Sequence, residues 1–266
     1  MSALALQNIV CTFAAGPGES YTAIGDTTLR VATGEFLSIV GPTGCGKSTL
    51  LNVAAGLLAP SSGRVLVSGA PLAGINREAG YMFQADALMP WRSALDNVAA
   101  GLVFRGTALR AARRQAQPWL ERVGLGSFGN RYPHELSGGM RKRCALAQML
   151  ILDPKILLMD EPFSALDIQT RSLMENELLE LWQADRKSVL FITHDLEEAI
   201  ALSDRVLVLA AGPASHPIGE FTIDLPRPRD VSEVRLTPRF LELHTRIWHT
   251  MKDEVLKGYR QSQALN

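Results

Sequence analysis

The segment GPTGCGKST (41–49) has the residue types and spacing of a phosphate-binding loop. It lies between the apolar run FLSIV (36–40) and the helical pattern LLNVAAGLL, the strand–loop–helix context that such a loop needs. Its glycines let backbone N–H groups curl around phosphates, and the helix start adds partial positive charge. Lys47 can reach the β and γ phosphates, and the Ser48 hydroxyl can ligate Mg²⁺. The predicted nucleotide contacts are Gly41, Pro42, Thr43, Gly44, Cys45, Gly46, Lys47, Ser48 and Thr49.

Two carboxylates follow the apolar run ILLM (156–159). Asp160 ends this predicted strand, where it can hold Mg²⁺ directly or through water, and Glu161 is then placed to polarise an attacking water. The alternative is an ordinary surface carboxylate pair after a strand. The phosphate-binding loop favours the catalytic interpretation.

A second anion site is indicated by LSGG (136–139), which precedes a basic, amphipathic helical stretch. Ser137 is a good N-cap residue, so helix capping and phosphate binding coincide there. Met140 falls on an apolar stripe with Cys144, Ala147 and Ile151, which favours packing for its side chain. The chain therefore carries two half-sites for one kind of ligand.

Short apolar runs predict the strands that position these residues. Runs rich in Val, Ile and Leu alternate with helical stretches, which predicts an α/β fold whose parallel central strands are covered on both faces. These runs are FLSIV (36–40), RVLV (64–67), ILLM (156–159), VLFIT (189–193) and RVLVLA (205–210). The N-terminal segment alternates like a hairpin and predicts an antiparallel β layer. Between Gln84 and about Pro133 the pattern is helical, which predicts a helical insertion.

Turn and linker residues follow Leu209, and a final helix carries one apolar stripe. The stripe consists of Phe240, Leu243, Ile247, Met251 and Val255. It fits packing on the chain's own domain, and it also fits a dimer contact.

Composition sets further bounds. At 266 residues the chain is expected to form one compact domain, and 27 basic against 27 acidic residues disfavour nucleic acid as a partner. The three cysteines have neither disulfide nor zinc spacing. Because the chain shows neither a leader pattern nor an apolar run of roughly 18–20 residues, we expect it to be soluble by itself and any membrane role to depend on a partner.

With LSGGM (136–140), ILLMDEPFSALD (156–167) and THD (193–195), the chain resembles the ATP-binding subunits of ABC transporters over residues 3–259. The resemblance implies an ATPase with an α/β P-loop NTPase core, an antiparallel β layer and an inserted helical subdomain. It implies a core from 3–83 and 136–225, a helical subdomain from 84–135 with 136–140 at its junction, and a C-terminal linker and helix from 226–266.

The resemblance also implies roles for residues in the catalytic loops. Gln84 would touch both Mg²⁺ and the attacking water, and His194 would contact the γ phosphate and orient Glu161. Lys47 would stabilise the transferred phosphoryl group, and Asp160 would hold Mg²⁺ together with Ser48. Asp195 and Glu198 fit a capping box that opens the next helix.

Other matching residues would bind the nucleotide or a second copy of the chain. Ser137, Gly138 and Gly139 would meet the γ phosphate held by the other copy, and the segment 164–167 (SALD) would cross to the partner site. Phe13 would stack on adenine, although Tyr21 is a rival and a buried core position is the competing interpretation for Phe13.

The implied cofactors are ATP and Mg²⁺, and the implied partner is a second ATPase subunit in a head-to-tail homodimer or pseudo-dimer. The stretch QADALMPWRSALDNVAAGL and the tail resemble nitrate/sulfonate/taurine importer ATPases. This implies a peripheral position at the cytoplasmic face of the inner membrane, an integral membrane permease subunit and, indirectly, a periplasmic or surface solute-binding protein. Met89, Pro90 and Trp91 would anchor a permease helix in the groove between core and insertion, although Trp91 could equally serve ordinary packing.

Three other functions compete with the importer. The ATPase subunit of another importer or an exporter class is the nearer competitor, and the docking stretch favours import. A soluble ABC ATPase of DNA repair or translation generally carries extensions or a basic stripe, and a metabolite kinase leaves LSGG and His194 unexplained. Cys45 lies inside the phosphate-binding loop, so its alkylation is expected to block ATP binding. Cys11 and Cys144 are expected to be buried small hydrophobic residues.

Overall fold

Two β-sheets lie back to back in the computed structural model, which describes residues 2–16, 18–85, 87–164 and 166–264. In that part of the chain a four-stranded antiparallel sheet has the order β2-β1-β4-β5, and a six-stranded sheet has the order β10-β9-β3-β8-β7-β6. The strands are β1 Ser2–Gly16, β2 Glu19–Ala32, β3 Phe36–Val40, β4 Ser62–Val67, β5 Ala70–Pro71, β6 Ala79–Met82, β7 Ile156–Asp160, β8 Ser188–Ile192, β9 Arg205–Leu209 and β10 Pro217–Thr222.

Helices cover the larger sheet and form the insertion. They are α1 Lys47–Ala54, α2 Ala94–Phe104, α3 Leu109–Arg122, α4 Gly138–Leu150, α5 Ile168–Asp185, α6 Leu196–Leu202, α7 Val231–Val234 and α8 Pro238–Ala264. The predicted α/β fold and antiparallel layer are confirmed. None of the helices described is long and apolar enough to cross a membrane.

One strand lies in a different sheet from the one predicted. RVLV (64–67) was expected among the parallel strands, but it belongs to β4, which pairs antiparallel with β1 in the small sheet. Three of the six β4 residues are exposed, as expected for the antiparallel sheet, which has one face toward solvent. The central strands of the larger sheet are instead covered on both faces. A short apolar run alone does not distinguish these two environments.

The larger sheet brings the site loops together. Its strands β3, β8, β7 and β6 are consecutive neighbours and run parallel, so their carboxyl ends lie along one edge. The register pairs Asp160 at the end of β7 with Ile192 at the end of β8. The four loops that follow these strands therefore emerge side by side, where ligands bind in open α/β sheets.

Alternate residues of the buried strands face two different hydrophobic clusters. Leu37 and Ile39 of β3 face α1 and the antiparallel sheet, whereas Phe36 and Val40 face the helices on the other side. This alternation explains why the central strands are buried at every position and read as continuous apolar runs.

A third cluster holds the helical insertion, and α8 packs in the cluster that contains Phe36 and Val40. Buried residues of α2 and α3 pack with the α4 face that includes Cys144, Ala147 and Ile151, and Met140 lies partly buried against them as predicted. The α8 stripe Phe240, Leu243, Ile247 and Met251 is buried within the chain, with Val255 at its margin. The exact limits 84–135 and 226–266 of the two segments stay a prediction.

Candidate nucleotide site

The phosphate-binding loop connects β3 to α1 and is held open by left-handed glycines. Gly46 has φ +90°, and a Cβ there would come within 2.5 Å of Ile24 Cδ1, so both conformation and space require glycine. The Lys47 side chain is folded across its own loop, where Nζ donates to the carbonyl oxygens of Gly41 at 2.9 Å and Pro42 at 3.0 Å. The amine is therefore positioned above the concave side of the loop, where it can exchange these carbonyls for phosphate oxygens.

Ser48 and Asp160 join the loop to the end of β7. The Ser48 hydroxyl donates to Asp160 Oδ1 at 3.0 Å. Burial of the Asp160 carboxylate raises its pKa, an effect that the Ser48 hydrogen bond opposes. A hydroxyl and a partly desolvated carboxylate at this distance are hard oxygen donors of the kind that Mg²⁺ prefers.

Glu161 is the meeting point of two further loops. Its Oε2 atom accepts a hydrogen bond from Gln84 Nε2 at 3.1 Å and lies 3.1 Å from His194 Nδ1. Gln84 follows β6 and His194 follows β8, so the sheet order places their loops on either side of Glu161. The predicted residues Gln84, Asp160, Glu161 and His194 are thus brought together with the phosphate-binding loop.

The Glu161 backbone is strained. Its φ is +43°, the left-handed region that side-chain-bearing residues rarely adopt. The conformation is held by its N–H, which donates to Ile192 O at 2.9 Å, and by the Ser164 hydroxyl, which donates to Glu161 O at 3.0 Å. Strain of this kind is kept where the surrounding structure fixes a side-chain position.

The LSGG loop (136–139) opens α4. The Ser137 side chain accepts a hydrogen bond from Met140 N, so the predicted N-cap is confirmed. Ser137 is exposed, whereas Gly139 is buried beside the first turn of α5, since a Cβ there would lie 2.7 Å from Thr170 Cγ2. Of the neighbouring segment 164–167, Ala165 lies outside the described residues.

Phe13 and Tyr21 are direct cross-strand partners in the β1–β2 hairpin. Opposite residues of an antiparallel pair project from the same face, so the two rings share one surface. Phe13 is 40% exposed and Tyr21 is 42% exposed. The buried-core interpretation of Phe13 is therefore wrong, while the choice between the two rings for stacking stays a prediction.

One expectation about a side chain is corrected, and the expected effect of Cys45 alkylation stays a prediction. Asp195 caps α6 as predicted, but Glu198 does not complete a capping box. The Glu198 Oε2 atom accepts a hydrogen bond from the Thr193 hydroxyl at 2.6 Å, and the Thr193 hydroxyl oxygen accepts a hydrogen bond from the Asp195 N–H. Cys45 is buried, and desolvation raises the pKa of its thiol. The thiol belongs to the hydrophobic cluster that includes Ile24 and Leu209, so the predicted alkylation requires the loop to open.

Two positively charged residues next to the site were not singled out from the sequence. Lys142 donates to Gln84 O at 2.6 Å, and Arg171 donates to Asp195 Oδ2 at 3.2 Å. Both lie on helix faces that point into the protein: Lys142 precedes buried Leu146 by four residues, and Arg171 precedes buried Met174 by three. That helical spacing is the sequence signal for an inward cation.

The groove between core and insertion is lined by residues other than the predicted docking residues Met89, Pro90 and Trp91. This groove, of about 310 Å³ between β6, α2 and α4, is lined by aromatic and small side chains, among them Phe83, Ala100 and Phe104. Pro90 and Trp91 line a separate, shallow depression with Tyr132, and Trp91 is 73% exposed. Ordinary packing is therefore the wrong interpretation of Trp91, whose exposed ring lies outside the groove.

The fold and these loops define a P-loop ATPase, and comparison with known proteins gives its family. A family model described as ABC transporter matches residues 24–164, more than half of the chain. The chain belongs to the ATP-binding subunits of ABC transporters, and it is an ATP-binding, ATP-hydrolysing enzyme.

Among its relatives is an uncharacterized ABC transporter ATP-binding protein of Methanocaldococcus jannaschii, 46% identical over 91% of this chain and 89% of the relative. A taurine import ATP-binding protein of Pelagibacter ubique is 38% identical over 96% of this chain and 98% of the relative. A nitrate import ATP-binding protein of Synechococcus elongatus is 37% identical, covering 94% of this chain but 38% of that longer protein.

A solved structure is similar over most of the chain. The ATP-binding cassette MJ0796, a dimer in a post-hydrolysis state bound to ADP and Pi, superposes with a TM-score of 0.75 at 31% identity, covering 84% of this chain and 100% of that one. The resemblance to transporter ATPases with importer-type relatives is thus confirmed.

Proposed function

We propose that this chain is the ATPase subunit of a bacterial importer for a small nitrate-, sulfonate- or taurine-like solute. Two copies would bind head to tail around two ATP molecules and couple hydrolysis to a separate membrane permease. The observation that carries the proposal is the convergence of Gln84 and His194 on one oxygen of Glu161, beside the phosphate-binding loop and Asp160. The taurine and nitrate import relatives support the solute class.

The residues around Asp160 fit a magnesium ion. Ser48 and Asp160 present oxygen donors 3.0 Å apart, and a cation would favour the charged form of the Asp160 carboxylate, which burial disfavours. Gln84 directs its Nε2 to Glu161, which leaves its amide oxygen as a third donor. When bound, Mg²⁺ supplies neutralisation of the phosphate charge.

Hydrolysis joins a water oxygen to the γ phosphorus and breaks the bond from that phosphorus to the β–γ bridging oxygen, giving ADP and phosphate. We assign Glu161 to orient the water: Gln84 and His194 fix its Oε2, and its Oε1 would accept the hydrogen bond from the water. His194 approaches Glu161 through Nδ1, so its Nε2 on the other side of the ring would contact the γ phosphate. Lys47 would stabilise the charge on the transferred group.

The dimer completes each site. Ser137 is exposed at the start of α4. The backbone N–H groups of Ser137, Gly138 and Gly139 lie at the positive end of the helix. This loop would meet the γ phosphate that the phosphate-binding loop of the other copy holds. The MJ0796 cassette, similar over 84% of this chain, is a dimer bound to ADP and Pi.

The membrane partner would dock at the helical insertion. The groove containing Phe83 and Phe104 is apolar and lined by small residues, so a short helix of a permease can lie in it. Trp91 would anchor the neighbouring surface, as large exposed aromatic side chains do at interfaces. Binding there would hold the chain at the cytoplasmic face of the inner membrane, with a solute-binding protein acting on the permease from the other side.

The catalytic part of the proposal is tested with the purified chain and magnesium ATP. Lys47→Ala should lower kcat by about 100-fold or more, because charge stabilisation on the phosphoryl group is lost. Lys155→Ala, which removes an amine that is exposed, is the matched control and should leave kcat unchanged. Equal activity of the two variants would rule out the assigned role of Lys47.

The docking part is tested by co-purification with the permease encoded beside this chain. Trp91→Ala should weaken capture of the permease by about ten-fold or more, the range for an interface anchor. Trp248→Ala, which changes a half-exposed tryptophan on α8, is the control. Undiminished capture by Trp91→Ala would contradict this docking surface, and a gene neighbourhood without a solute-binding protein would favour the exporter alternative.

A further inference from the structure

Two cationic side chains fasten the loops that would face the partner copy to the loops that hold Glu161. We infer that Lys142 and Arg171 are positioning residues that couple the two ATP sites of the dimer. The inference rests on the proposed head-to-tail dimer, because only there do the LSGG loop and segment 164–167 belong to the partner's site.

Lys142 forms the first connection. It lies on α4 just after the LSGG loop, its side chain is 2% exposed, and Nζ donates to Gln84 O at 2.6 Å. Gln84 in turn donates through Nε2 to Glu161 Oε2 at 3.1 Å. If phosphate contact at Ser137 displaces α4, the Lys142 amine therefore passes that displacement to the backbone of Gln84.

Arg171 forms the second connection. It lies in the first turn of α5, where Nη2 donates to Leu166 O and Nη1 donates to Asp195 Oδ2, both at 3.2 Å. Leu166 belongs to segment 164–167, and Asp195 directly follows His194. One planar guanidinium thus bridges the two loops, a geometry that a lysine ammonium cannot reproduce in the same way.

Asp195 transmits the Arg171 contact to the helix behind His194. Its Oδ1 accepts from the N–H groups of Glu197 and Glu198 and caps α6, while its Oδ2 is held by Arg171. The carboxylate therefore fixes the residue next to His194 from two directions. Arg171 Nε also lies 3.6 Å from Glu198 Oε1, which is nearly fully buried.

The two connections converge on the same atom. The first ends at Gln84 Nε2 and the second at His194 Nδ1, and both of these atoms lie 3.1 Å from Glu161 Oε2. The LSGG loop also packs against the first turn of α5, since a Cβ at Gly139 would lie 2.7 Å from Thr170 Cγ2. Contact with the partner's nucleotide would therefore set the position of the Glu161 carboxylate in the chain's own site.

The test measures ATPase rate against ATP concentration for Lys142→Met and Arg171→Met in the full-length dimer. Each substitution should lower kcat by about 3- to 30-fold, the range for residues that carry coupling between sites. Each should also reduce the Hill coefficient from above 1 in the wild type to about 1. ATP affinity of the monomer should stay unchanged, because neither side chain lies in the phosphate-binding loop.

Matched controls separate coupling from loss of charge or fold. Lys155→Met and Arg113→Met remove exposed ion pairs elsewhere and should keep both kcat and the Hill coefficient. Because Lys142 is buried, Lys142→Gln provides a second, polar variant, and melting temperatures verify folding. When Gln84→Ala is already present, Lys142→Met should lower kcat further by less than about two-fold, because Lys142 acts on Glu161 through Gln84.

The outcomes are distinct. The inference is overturned if the wild type has a Hill coefficient of 1. It is also overturned if folded Lys142 and Arg171 variants keep the wild-type kcat and cooperativity. In both cases an ATP-bound dimer of Glu161→Gln would leave the proposed function standing. Full additivity of Lys142→Met with Gln84→Ala overturns the Lys142 connection. Absence of an ATP-dependent Glu161→Gln dimer overturns the proposed function, and the inference with it.

Discussion

His194 Nδ1 lies 3.1 Å from Glu161 Oε2, and the two residues come from the loops after neighbouring parallel strands. The register of β7 and β8 sets this distance, since Asp160 pairs with Ile192 and each side chain follows within two residues. The strand pairing therefore places the Glu161 and His194 side chains close together. The imidazole fixes the carboxylate that we assign to orient the attacking water.

His194→Ala should lower kcat by about 100-fold or more, because a positioned group that acts in the transition state is lost. Nucleotide affinity should change little, since the phosphate-binding loop is intact. Steady-state ATP hydrolysis and equilibrium nucleotide binding measure the two quantities. His249→Ala, an exposed substitution on α8, should match the wild type in both. A large loss of affinity with unchanged kcat would reverse the role given to His194.

Most of the nucleotide site could be predicted from the sequence because each of its parts is local. The phosphate-binding loop, the carboxylates after β7 and the Ser137 cap depend on residues within a few positions of one another. The α/β class then follows from apolar runs separated by helices, whereas the order of the strands does not.

The residues that sequence reasoning missed act over long separations. Gln84 and Lys142 are 58 residues apart in the chain, and Arg171 and Asp195 are 24 apart, so helical spacing can mark each cation as inward but does not name its partner. β4 was assigned to the wrong sheet because its apolar run has the length of either kind of strand. Glu198 was misassigned because Thr193 competes for its carboxylate in the folded state.

Glu175 should make stability depend on pH. The residue is 0% exposed and packs beside Arg235, and burial raises its pKa to about 7 from a usual 4.5. A raised carboxylate pKa means that the folded state binds the proton more tightly than the unfolded state. Stability from this group is therefore complete below about pH 4.5 and is lost as the pH rises through about 7.

Glu175→Gln removes this ionisation while keeping the side-chain shape. The free energy of unfolding of the variant, relative to the wild type, should rise by about 2–3 kcal/mol between about pH 5 and pH 8. Denaturant unfolding at the two pH values measures the change. Glu180→Gln, at an exposed position of the same helix, should give a flat difference, and an equally flat difference for Glu175→Gln would contradict the prediction.

The thiols should be slow to react in the native protein. Cys11, Cys45 and Cys144 are all buried, and desolvation raises the pKa of the Cys11 and Cys45 thiols, so little thiolate exists at neutral pH. A colorimetric thiol reagent should titrate all three in guanidinium chloride and react far more slowly without it, with ATP slowing Cys45 further. Rapid native labelling of Cys45, located by mass spectrometry, would show that the loop opens freely.

The central claim is that Glu161 drives hydrolysis inside a dimer that ATP closes. With Glu161→Gln, ATP still binds but the water is not activated, so the closed dimer should persist. Light scattering during size-exclusion chromatography should find a mass near 29.0 kDa without ATP and about twice that mass with it. A Glu161→Gln protein that stays monomeric with ATP, or that hydrolyses ATP at the wild-type rate, would contradict the account.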